Sequence, residues 1–242
     1  EMKEMQFPDS LLAIARAGIG VNNIPIDRCS EEGIVVFNTP GANANAVKEL
    51  VLAALLLSSR KIVQGIEWTK SLKGTENIEK QVESGKKQFV GPEIAGKTLG
   101  VFGLGAIGVL VANAASQLGM HVVGYDPFLS VHSAWRISSD VELADSKETM
   151  VAQCDYITVH IPLNDATRNM FDKDLLSCVK KGCHLLNFSR GELVDLTALK
   201  EAMSIGTIAT YITDFANEEL LNMDNVIVIP HLGASTPESE EN

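Results

Sequence analysis

Residues 97–108 read KTLGVFGLGAIG, and no other stretch narrows the possible folds so far. An apolar run ends at Phe102, glycines follow at 103, 105 and 108, and a helical pattern continues over residues 107–117. Each glycine has a physical job in that setting. Gly103 permits a tight turn, Gly105 lets a diphosphate approach the backbone, and Gly108 lets the helix pack against the strand. The helix then offers free N–H groups and its positive dipole end to the phosphates. Glycines also mark ordinary turns, so the signature needs a companion. A second apolar run, residues 121–125, ends in Asp126, about 20 positions after the signature, where a dinucleotide-binding fold places an acid. Such a carboxylate bonds ribose hydroxyls and repels a 2′-phosphate, which favours NAD over NADP. The competing reading makes Asp126 a turn residue before Pro127. Strand, glycines, helix, strand and acid in that order weigh against it.

The same rhythm runs through the chain. Apolar runs at residues 12–15, 35–38, 98–102, 121–125, 156–160, 184–188, 208–213 and 226–229 alternate with helical patterns at 46–62, 107–117, 173–178 and 195–203. Near-continuous apolar runs suit strands covered on both faces. The alternation predicts the α/β class: a doubly wound parallel sheet (Rossmann) as cofactor domain, beside a partial, truncated substrate domain. Residues 1–41 fit the partial domain, 42–233 the NAD-binding domain and 234–242 a return segment. Residues 65–97 are polar and predict a helix end followed by a long surface excursion. Both ends of the chain are abrupt, as expected for a fragment of a longer protein.

Composition removes several functions. At 242 residues and 45% hydrophobic residues, a packed core is within reach. A net charge of −11 lacks the basic footprint of a nucleic-acid partner, so an anionic substrate needs local cations. No apolar run reaches the ~20 residues that span a bilayer; the longest, 50–57, begins beside Lys48 and Glu49 and reads as a buried helix. Cys29, Cys154, Cys178 and Cys183 show no metal-type spacing and predict no metal site. They read as buried thiols in a reducing compartment, which implies a cytoplasmic location.

Three polar groups follow the later strand ends, where an open α/β sheet places its ligand crevice. Arg190 lies in NFSRGELVD, the pair Glu218-Glu219 follows Asp214, and His231 lies in IPHLGAST. Oxidising a secondary alcohol needs a base for the hydroxyl proton while hydride leaves. Imidazole suits that role, and a carboxylate on its far nitrogen fixes the tautomer. Arginine grips a substrate carboxylate with two parallel bonds. Each group alone has a plain structural explanation: a structural histidine, a surface arginine, a solvated helix start. The coincidence of all three at strand ends favours chemistry. His121, His132, His160 and His184 read as structural, with His160 near the cofactor rim in a backbone role.

With these residues in view, the chain resembles the D-2-hydroxyacid dehydrogenase family over essentially all 242 residues. The motifs RAGIGVNNI, VFNTPGANANAVKEL, GKTLGVFGLGAIG, NFSRGELVD and PHLGAST carry the resemblance, and RAGIGVNN and HLGAST lean toward its phosphoglycerate branch. The resemblance implies a catalytic Arg190, Glu219 and His231, with Glu218 as the one-place alternative for the acid. It implies cofactor contacts from Ile19, Gly103, Gly105, Ala106, Ile107, Gly108, Asp126, Ile161, Phe188, Ser189, Arg190, Asp214, His231, Gly233 and Ala234. Many relatives carry arginine where Ala106 stands, which leaves backbone N–H groups to hold that phosphate. It also implies a substrate loop at Arg16, Gly18, Ile19 and Gly20, with Arg190 opposite. The implied activity is NAD-dependent oxidation of D-3-phosphoglycerate to 3-phosphohydroxypyruvate at the entry to serine biosynthesis. The implied assembly is a homo-oligomer, dimer or tetramer. Reduction of glyoxylate or hydroxypyruvate is the neighbouring possibility, and a non-catalytic NAD-sensing protein the distant one, since fold alone does not decide function.

Overall fold

The computed structural model describes every residue except 1, 17, 19, 22 and 242, and leaves out the side chain of Glu240. Two parallel sheets organise it. The small one pairs β1 (Ala13–Arg16) with β2 (Val35–Asn38) over a helix, Ile26–Glu31, and a minor core of Ile24, Cys29 and Ile34. The large one has seven strands, all parallel: β3 (Thr98–Phe102), β4 (His121–Tyr125), β5 (Val141–Leu143), β6 (Tyr156–Val159), β7 (Cys183–Asn187), β8 (Ile208–Thr213) and β9 (Val226–Val228).

Their order across the sheet is β5-β4-β3-β6-β7-β8-β9. The chain leaves β3 toward one edge and returns at β6 to build the other. The carboxyl ends of β3 and β6 therefore bound the switch point at which this topology opens a crevice. Strand residues alternate between two cores. Leu99 and Val101 join one face with Leu55, Val109 and Ile212, while Phe102, Ile157 and Val159 join the other with Met150, Phe171 and Leu199. Burial on both faces explains the near-continuous apolar runs, and the doubly wound α/β reading holds.

Three expectations need correction. Residues 65–97 begin with a helix end and lie largely at the surface, but the excursion carries a helix of its own, Ile78–Gly85, and a short helical turn, Lys86–Phe89. The strand β5 has three residues, too few to register as an apolar run. Cys178 is exposed, just past the helix Lys173–Ser177, whereas Cys29, Cys154 and Cys183 are buried free thiols. Among the described residues no helix is long and apolar enough to cross a membrane.

Candidate active site

The glycine turn after β3 is built as its sequence predicts. Gly103 adopts φ +85, and its N–H donates to the Tyr125 carbonyl at 2.9 Å. A Cβ on Gly103 would press on the carbonyl of His160, and one on Gly108 would collide with the Gly103 carbonyl. Around Gly105 a Cβ would meet nothing within 4 Å, so an open space lies above the turn. The helix Ala106–Gln117 starts there with Gly105 as its cap and no side chain on its first N–H groups. Twelve residues long, it presents an unoccupied run of donors to whatever enters. Asp126 closes the turn: Oδ2 accepts from Leu104 N–H and Oδ1 from Phe128 N–H, each at 2.9 Å. Each oxygen retains acceptor capacity beyond its one bond.

A cleft of about 440 Å³, within the range that holds small ligands, runs from this turn across the strand ends. Gly105, Ala106, Ile107, Ile161, Phe188, Ser189, Arg190, Asp214, His231, Gly233, Ala234 and Gly20 all line it, a convergence expected from the motifs. Gly103 and Gly108 shape the turn from beneath. Gly18, at φ +124, donates its N–H to Thr39 Oγ1 at 2.8 Å, and Arg16 Nε donates to the Gly20 carbonyl at 3.2 Å. Arg16 itself is exposed and does not line the cleft. Ile19, expected to touch both cofactor and substrate, lies outside the described residues.

Arg190 follows β7. Asn187 Nδ2 donates to its carbonyl at 2.8 Å, and its own Nη1 donates to the Ser189 carbonyl at 2.6 Å. Asp214 follows β8 and is buried. Burial pushes its carboxyl above the usual range, while the charges of His231 and Arg190 pull the other way. Cation, carboxylate and imidazole thus share one electrostatic neighbourhood. The His231 ring meets Phe215 edge-on, centroids 5.1 Å apart at 74°.

Glu219 departs from expectation. It is exposed and pairs through Oε2 with Lys200 Nζ at 2.8 Å, away from the cleft. The cause is local. Asn217 caps the helix Glu218–Leu221 by accepting from Leu220 N–H, and Leu220 is buried. With Leu220 turned inward, Glu218 and Glu219 occupy the exposed face. Neither lines the cleft, whereas Asp214 does, and the charge of His231 acts on its carboxyl.

Two contributors escaped the sequence reading. Asn43 stands at the N-cap of the helix Ala44–Arg60 yet makes no capping bond, and its buried Oδ1 has no partner. His160 lines the cleft with more than its backbone: Nε2 lies 3.0 Å from Thr158 Oγ1, and Nδ1 is buried without a partner. Burial pushes its imidazole down to about 3, so it stays neutral. With Asp214 Oδ1, three unpartnered buried polar atoms belong to residues of this one cleft. Buried polar atoms rarely stay unpaired, so the cleft fits a ligand rich in hydrogen-bonding groups, as a dinucleotide is. A capping-type Asn that opens an apolar helix was the signal for the first. The second had none beyond its position at a strand end.

Comparison with known proteins agrees with this geometry. Residues 52–233 match the family described as D-isomer specific 2-hydroxyacid dehydrogenase, NAD binding domain. A D-3-phosphoglycerate dehydrogenase of Methanocaldococcus jannaschii is 39% identical over 96% of the chain, which spans 43% of that relative's length. A hydroxypyruvate reductase of Thermotoga maritima is 37% identical over 96% of the chain and 73% of its own. Among solved structures, the NAD+-bound 3-phosphoglycerate dehydrogenase of Entamoeba histolytica superposes with a TM-score of 0.78 at 29% identity, covering 97% of this chain and 68% of the other. The holo form of Rhodotorula graminis D-mandelate dehydrogenase superposes at 0.84 and 26% identity, covering 97% and 69%.

Proposed function

The chain belongs to the D-isomer specific 2-hydroxyacid dehydrogenase family, and from that premise we propose that it takes part in NAD-dependent oxidation of D-3-phosphoglycerate to 3-phosphohydroxypyruvate. One observation carries the reading: Arg190, Asp214 and His231 converge on a single cleft with the open glycine turn. When bound, NAD supplies the hydride acceptor. The helix that begins at Ala106 would hold the diphosphate by its free N–H groups, and Asp126 would take the ribose hydroxyls. Arg190 grips the substrate carboxylate and fixes the reacting carbon. His231 accepts the hydroxyl proton, and buried Asp214 favours the resulting imidazolium by charge. A protein that only senses NAD has no use for such a proton acceptor.

The phosphoglycerate substrate is favoured by the RAGIGVNN and HLGAST motifs and by the archaeal relative's name. Reduction of hydroxypyruvate is the second reading, favoured by the Thermotoga relative, of which the chain covers the larger share. Arg16, in the substrate loop but outside the cleft lining, is the cation we assign to a substrate phosphate. Buried free thiols suit a cytoplasmic setting, and a second copy of the chain is the expected partner. The test is a panel of phosphorylated and unphosphorylated hydroxy acids, with NAD and with NADP, on the parent and on Arg16→Ala. The substitution is expected to raise KM at least about tenfold more for the phosphorylated acids, the loss of one charge-assisted contact. Equal effects on both classes favour the second reading.

A further inference from the structure

Gly20 lines the cleft opposite Arg190, and a Cβ built on it would overlap the Arg190 Nη2 nitrogen, with Cζ at 3.7 Å. Its backbone does not demand glycine. Gly18 in the same turn has φ +124, whereas Gly20 lies outside the left-handed region. Space is what excludes a side chain. Three hydrogen bonds tie the described residues of the turn: Arg16 Nε donates to the Gly20 carbonyl, Gly18 N–H to Thr39 Oγ1, and Thr39 N–H to the Gly18 carbonyl at 3.2 Å. The movable part is the end of the arginine.

We propose that Gly20 is a positioning residue: its missing side chain is the seat of the Arg190 guanidinium and sets where that fork meets the substrate carboxylate. This rests on Arg190 as the carboxylate's grip. The loop after β1 would then act on the reacting carbon through a contact that it makes by omission. A two-bond fork tolerates little displacement, and a shift of about 1 Å can cost on the order of 10²-fold.

The experiment uses the 242-residue chain. Binding of oxalate in the presence of NADH reports the carboxylate site without turnover, and KM and kcat for the hydroxy acid accompany it. Gly20→Ala is expected to weaken oxalate and raise KM by roughly 10- to 100-fold, with NADH affinity kept within about twofold and the thermal midpoint within about 2 °C. Arg190→Lys weakens oxalate in the parent, but in the Gly20→Ala background it should cost little more, because both changes disturb one contact. Unchanged oxalate binding in Gly20→Ala, or additive effects in the double variant, overturns the proposal alone. If Arg190→Lys costs nothing in the parent, the role of Arg190 fails and the proposal falls with it.

Discussion

Asp155 and Asp214 sit at opposite ends of the same parallel sheet, and their surroundings differ in kind. Asp155 lies just before β6. Its Oδ2 accepts from Thr98 N–H at 2.9 Å and its Oδ1 from Lys180 Nζ at 2.7 Å. Burial alone would raise its carboxyl, but the Lys180 bond and the Thr98 amide outweigh it and hold the group below the usual range. Asp214 lies just after β8, buried, with Oδ1 unpartnered and its carboxyl pushed up. At one end Asp155 closes both carboxylate oxygens within the chain, with the buried His184 Nδ1 beside it left unpartnered. The other end leaves hydrogen bonds open at Asn43, His160 and Asp214 and gathers Arg190 and His231 around the gap. A satisfied carboxylate contributes stability, whereas an unsatisfied one beside a cation and an imidazole is arranged for something that binds.

The sharpest way to break this contrast is at the open end. His231→Ala removes the proposed proton acceptor and is expected to lower kcat about 10²- to 10⁴-fold while NADH still binds, as fluorescence titration would show. Turnover that survives the change contradicts the assignment of the cleft.

The two aspartates give the next test. Asp155→Asn loses a charge-assisted bond at a strand junction and is expected to cost about 1–3 kcal/mol in urea unfolding, with KM and kcat nearly unchanged. Because the folded carboxyl is depressed, its contribution is present above the ordinary carboxylate pKa and is lost as pH falls through the folded value. Asp214→Asn should do the reverse: little loss of stability, since a desolvated charge is removed, and a fall in kcat/KM of roughly tenfold or more, the loss of one charge-assisted interaction. Equal stability losses at both sites would erase the distinction between the two ends.

The last test concerns acid. His184, stacked on Tyr156 at 4.8 Å, is pushed down to about 4 by burial, and His160 to about 3. Both remain neutral in the folded chain where an unfolded histidine binds a proton. Stability should therefore decline as pH falls below about 6.5, by at most about 1.4 kcal/mol per unit for each group. The His184 contribution levels off near 4 and that of His160 near 3. His184→Gln is expected to flatten the slope of unfolding free energy against pH between those limits; an unaltered slope means the ring is solvated.

Much of the cofactor site is local chemistry and could be read along the chain. Gly103, Gly105 and Gly108 must follow a strand and open a helix, and Asp126 must end the next strand, so spacing alone placed them. Arg190, Asp214 and His231 share the trait of following strand ends, and parallel strands bring such ends to one side of the sheet. Glu219 shows where this reasoning stops. Its distance from Asp214 suggested a partner for His231, but the burial of Leu220 and the pull of Lys200 turn it outward. Asn43 and the His160 ring were hidden for a related reason: each belongs to the cleft because of what it does not bond, and a missing bond leaves no pattern in a sequence.

By itself the order of residues determined the alternation of strands and helices, the glycine turn and the side of the sheet that carries chemistry, because each depends on neighbours a few positions apart. Tertiary packing alone decided which carboxylate shares the cleft with the imidazole, which buried atoms stay unpaired and how the loop carrying Gly20 abuts the arginine. Those depend on segments such as Gly20 and Arg190, which meet only in space, and on the competition for burial between them.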